Sequence, residues 1–107
     1  MKSFLFISAL SGLVACGGSA STGITAVSCG SDSTLTYANF GSAFMADNCL
    51  SCHAERVSPH FTTQAQVKGS TENILQVAVY TDAMPANGPI AIEERKLLGE
   101  WLACGAP

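Results

Sequence analysis

At 107 residues, with 48% hydrophobic and 12% charged side chains, the chain has room for one small domain. Its formal net charge of −3 at pH 7 argues against nucleic-acid binding, which needs a basic footprint for phosphate. Five cysteines in so short a chain ask for an account of each thiol.

Residues 1–15 read as an export signal. Lys2 supplies the positive start, and an apolar run opens with Phe4-Leu5-Phe6-Ile7 and continues to Val14. The run is too short to span a bilayer as a helix. Its end, Leu13-Val14-Ala15-Cys16, resembles the bacterial lipobox. That resemblance implies cleavage before Cys16 and lipidation of its sulfur, the alternative being a plain signal cut elsewhere. Gly17 is not an acidic retention signal, which favours the outer over the inner membrane. The expected product is an exported lipoprotein facing the periplasm or the cell exterior. After loss of Lys2, four basic and eight acidic side chains remain.

Residues 16–33 are rich in Gly, Ser and Thr and read as a flexible tether, with Cys29 near its end. The domain is expected over residues 34–107. Thr36 can cap a first helix over Tyr37 to Asn48. Tyr37, Phe40 and Phe44 recur at spacings of three and four and give it one apolar face. Gly41, on the neighbouring stripe, permits close approach of another helix. Met45 falls in the core.

The helix delivers Cys49-Leu50-Ser51-Cys52-His53. Two thiols three positions apart, followed at once by an imidazole, form the attachment signature of a c-type haem. The thiols can add to the porphyrin vinyl groups, and His53 can reach the iron as proximal ligand. Zinc would need about four ligands, and no second CxxC or HxxxH exists. A thioredoxin-like site expects a strand before it. With Cys16 taken by lipid and Cys49 and Cys52 by haem, Cys29 and Cys104 remain. They are expected to pair as a disulfide in an oxidising compartment, the alternative being two buried thiols.

A loop broken by Pro59 runs from Ala54 to Phe61. A short turn from Thr62 or Thr63 through Val67 ends at Gly69. Ser70 is placed to cap a helix over Thr71 to Tyr80, with Ile74, Leu75, Val77 and Ala78 apolar. A second loop, Thr81 to Ile90, carries Met84-Pro85 and Asn87-Gly88-Pro89. The last helix spans Ile92 to Ala103, with Glu93 and Glu94 complementing its dipole. Leu97, Leu98, Trp101 and Leu102 form its apolar face, and Gly105 stops it.

Two residues compete for a sixth position on iron. Met84 offers a soft thioether, and Pro85 stiffens the loop that presents it. His60 is the alternative, but the segment from His53 would have to cross from one haem face to the other.

In its order of parts the chain resembles a small class I cytochrome c from about Tyr37 to Pro107. The resemblance rests on the helix entering Cys49-x-x-Cys52-His53, the Met84-Pro85 loop and the last helix with Leu98 and Trp101. The ending from Trp101 to Pro107 also looks like short bacterial lipoprotein cytochrome domains. It implies an all-α fold of three to four short helices around one covalent haem c, with the N- and C-terminal helices crossing at Gly41, Phe44, Leu98 and Trp101. It implies a backbone carbonyl near Pro59 holding the far nitrogen of His53. The stretch from His53 to Met84 is shorter than the family's, which implies a more exposed haem.

The expected function is a lipid-anchored monohaem carrier of single electrons between membrane-associated redox proteins, not an enzyme and without a small-molecule substrate. Three rivals stand beside it. One is an exported thiol–disulfide oxidoreductase, which needs a low-pKa thiol at Cys49. Another is a haem-based ligand-binding sensor with an open sixth position. A cofactor-free structural lipoprotein is the third.

Overall fold

The computed structural model describes residues 19–107. The expected signal, 1–15, and the lipidation site at Cys16 lie outside the described residues. Within them the protein is helical, with no strand beyond a single bridge between Ser21 and Thr81. No helix among them is long and apolar enough to cross a membrane.

The first helix opens as a π-helical turn, Tyr37–Gly41, and continues as α1, Ser42–Asn48. Thr36 starts it with a reciprocal box. Its Oγ1 accepts from the Asn39 N–H at 3.1 Å, and Asn39 Oδ1 accepts from the Thr36 N–H at 2.7 Å. Asn39 also donates to Thr34 O, so the entry strand is held as well. A four-residue helix α2, Leu50–His53, follows after Cys49.

Helix α3, Gln64–Lys68, starts from a second reciprocal box between Thr63 and Gln66. Helix α4, Thr71–Ile74, runs on as a π-helical turn, Leu75–Val79. Ser70 precedes it, but its side chain makes no capping bond; the expected cap is not formed. Helix α5, Ile92–Ala103, ends at Gly105, whose φ of 88° lets the chain turn back at no steric cost. The peptide bonds before Pro59 and Pro85 are cis.

The core gathers Phe44, Met45, Phe61, Val67, Ile74, Leu75, Ala78, Val79, Leu98, Trp101 and Leu102. Trp101 is fully buried and is the hub. Tyr37 and Phe40 place their rings 6.5 and 5.9 Å from its own. Its Nε1–H donates to Pro107 O, which also accepts from the Tyr37 N–H, so the last residues are pinned at the start of the first helix. Leu98, Trp101 and Leu102 each contribute roughly 2 kcal/mol through burial. Leu97, expected on this face, is 41% exposed. It lies one position off the 95–98–102 stripe that faces inward.

The segment expected as a tether is, from Ala20 onward, laid along the domain. Thr22 N–H donates to Tyr80 O at 3.0 Å, and Asp82 N–H donates to Ala20 O at 3.0 Å. Ile24 and Val27 pack on the core, and a Cβ on Gly99 would come within 2.6 Å of Val27 Cγ1. Cys29 and Cys104 form a disulfide, with Cα atoms 4.7 Å apart. This strap needs apolar side chains and backbone partners, and a Gly/Ser-rich composition concealed that Ile24 and Val27 supply them.

Candidate functional site

Four of the side chains singled out in the sequence border one cavity of about 370 Å³: Cys49, Cys52, His53 and Met84. Helix α1 runs straight into the first of them, because the Cys49 N–H closes the last turn on Met45 O at 2.9 Å. Helix α2 then carries Cys52 and His53 onto the same wall. Ile74, Val77 and Ala78 from the α4 segment, with Phe61, form an apolar side, and the Met84-Pro85 loop forms another. Among the lining residues the ionisable side chains are Cys49, Cys52 and His53 alone. The mostly apolar walls suit an organic group more than a hydrated ion.

His53 is oriented by the backbone behind it. Its Nδ1 lies 2.8 Å from Pro59 O. A carbonyl only accepts, so Nδ1 carries the proton and Nε2 keeps its lone pair for a metal. The Phe61 N–H donates to His53 O at 2.9 Å, and the Phe61 ring sits 5.3 Å from the imidazole. These bonds close the 53–61 loop into a brace behind the ring.

Met84 is fixed at both of its peptide groups. Its N–H donates to Val77 O at 2.8 Å, and its carbonyl accepts from Arg95 Nη1 at 2.8 Å. Farther along the loop, Asn87 Nδ2 donates to Ser51 Oγ at 3.3 Å, joining the methionine loop to the cysteine helix. Met45 also borders the cavity but is 1% exposed and held in the core by α1. His60 is exposed and does not line the cavity.

Burial pushes the Cys49 thiol up to about 11. Cys49 and Cys52 are not joined to each other. Among the described residues no cluster of three or more His, Cys, Asp and Glu side chains is placed to hold a metal ion. The candidate donors that border the cavity are the His53 imidazole, the Met45 and Met84 thioethers and the thiols of Cys49 and Cys52.

The residue that sequence reasoning missed is Arg95, 4% exposed on α5. Its position three before Leu98 and seven before Leu102 put it on the buried stripe, and that register was the available signal.

No family model, curated protein or solved structure matches the chain.

Proposed function

We propose that this protein is a lipid-anchored monohaem c-type cytochrome that carries single electrons between membrane-associated redox proteins. The observation that carries the reading is the convergence of Cys49, Cys52, His53 and Met84 on one apolar cavity, with His60 outside it. Cys49 and Cys52 would hold the macrocycle through thioether bonds, His53 would supply the proximal nitrogen and Met84 the distal sulfur. When bound, the haem supplies a ferric–ferrous couple.

The chain's own residues do the rest. Pro59 O keeps the His53 proton on Nδ1 and raises the donor strength of Nε2. Ile74, Val77, Ala78 and Phe61 exclude water, and a dry wall disfavours the more charged ferric state. With His53 and Met84 both bound, a haem iron would have no coordination position left for a substrate, and the site would be limited to electron transfer. Lipid on Cys16 would keep the carrier at a membrane surface facing the periplasm or the exterior, the outer membrane being favoured; two or more acyl chains give stable attachment.

The oxidoreductase reading requires a thiol pushed down, and Cys49 is pushed the other way. The sensor reading requires an iron without Met84.

The test is to express the full chain in a host with c-type maturation. A haem stain that survives denaturing electrophoresis, a mass increase of one haem and visible bands in both redox states are expected. A colourless product with both thiols titratable would sink the proposal.

A further inference from the structure

We infer that Arg95 is a positioning residue for the Met84 ligand: it clamps the loop that presents the sulfur. The inference rests on the haem reading above and adds to it a residue that touches neither metal nor porphyrin ligand side chains.

Arg95 is nine-tenths buried and has no carboxylate partner; the ion pair among the described residues is Lys96 with Glu93, at the surface. Asp82 borders the same surface cleft as Arg95, but its Oδ1 accepts from the Ala20 N–H at 2.7 Å. The guanidinium spends Nη1 on backbone instead. It donates to Ala78 O at 2.7 Å and Met84 O at 2.8 Å, and reaches Thr81 O at 3.5 Å. Those carbonyls belong to the cavity wall, the reversal after it and the ligand loop.

A buried cation without a counter-charge is costly, and an aliphatic side chain would fill the same stripe without that cost. What an aliphatic residue cannot do is bridge three carbonyls. Pro85 removes the N–H that the loop would otherwise offer next to Met84. The loop therefore depends on donors from elsewhere. Val77 O holds the N–H of Met84 and Arg95 holds its C=O, so the Cα–Cβ bond has a fixed direction relative to the Val77–Ala78 wall. Protein hydrogen bonds hold the backbone frame that presents the Met84 side chain.

The test uses the haem-loaded full chain, with Arg95→Gln and Arg95→Lys. Carbon monoxide binding to the ferrous form reads how firmly Met84 holds the sixth position. Hydrogen exchange at the Met84 amide reads the loop itself. The native protein should bind carbon monoxide slowly and protect that amide. Arg95→Gln should bind roughly tenfold faster or more, with unchanged helix content, and Arg95→Lys should fall between them. Unchanged binding in Arg95→Gln, with slow binding in the native protein, overturns the role of Arg95 alone. Fast binding in the native protein overturns Met84 ligation, and this inference with it. Should Arg95→Gln fail to fold, the other two proteins decide. A native Met84 amide that exchanges like an unstructured loop refutes the clamp, as does unchanged exchange in Arg95→Lys; protection that weakens in Arg95→Lys upholds it.

Discussion

Gly41 and Trp101 meet backbone to ring. A Cβ on Gly41 would overlap Cζ2 and Cη2 of the indole, so the first helix and α5 approach at a point where only hydrogen fits. Trp101 is fully buried and cannot swing away. Gly41→Ala should therefore destabilise the loaded protein by about 2 kcal/mol, although alanine favours helix intrinsically. Guanidinium unfolding followed by circular dichroism measures it. Pairing it with Trp101→Leu should cost less than the sum of the two single changes. Additive costs would show that the contact is not what Gly41 serves.

The sixth position separates the two candidate ligands. Met84→Ala should open the iron to carbon monoxide and remove the ferric band of sulfur coordination. His60→Ala should leave both unchanged, since that side chain is exposed and outside the cavity. A spectrum altered by His60→Ala and not by Met84→Ala would reverse the assignment.

Before haem is attached, the Cys49 thiol should be sluggish. Its pKa of about 11 stands above the ordinary 9.0, so the folded chain holds this proton more tightly than the unfolded one. The sign follows: the contribution to stability is intact below pH 9 and is lost as pH climbs through 11. Two units of displacement leave about a hundredfold less thiolate at neutral pH than an exposed cysteine has. Iodoacetamide labelling of Cys49 in a haem-free Cys52→Ser chain, where circular dichroism reports the helices, tests this. A labelling midpoint below pH 9 would contradict it.

The Cys29–Cys104 bond ties the strap to the end of α5 across 75 positions. Replacing both by serine should cost about 2 to 4 kcal/mol, mainly by freeing the unfolded chain. Denaturant midpoints compared with and without the pair give the value. Backbone amides of Thr22 and Asp82 should exchange faster in the variant, because the strap loses its anchor while its hydrogen bonds remain. Unchanged midpoints would mean that Ile24 and Val27 hold the strap unaided.

What was legible in the sequence was local. The Thr36 start, the aromatic face of Tyr37, Phe40 and Phe44, and the Gly105 stop all follow from periodicity and capping, and the structure has each of them. The spacing of Cys49, Cys52 and His53 put three chemical groups on one wall, and the carbonyl expected near Pro59 is that of Pro59 itself. The pairing of Cys29 with Cys104 was expected from assigning the other three thiols, and the structure has it.

Long-range contacts were not legible. Leu97 and Leu98 are equally apolar, and only the direction of the core separates an exposed side chain from a buried one. Arg95 is charged, so hydropathy assigns it to the surface, although its register is that of Leu98 and Leu102. Ile24 and Val27 are isolated among small polar residues, and the core they pack on, with Gly99 beside Val27, lies far along the chain. Ser70 has the right chemistry for a cap, but its backbone sits at φ −126° and ψ 16°, where the side chain does not reach the helix start.

Trp101 and Cys104 close the fold over the first helix and the strap, so both closures wait on the docking of α5. A chain whose α5 has not docked leaves Gly41 uncovered and Cys29 unpaired, although its Cys-Leu-Ser-Cys-His stretch is already complete. One element thus latches both ends of the described fold, through the aromatic contact at the first helix and the covalent tie to the strap.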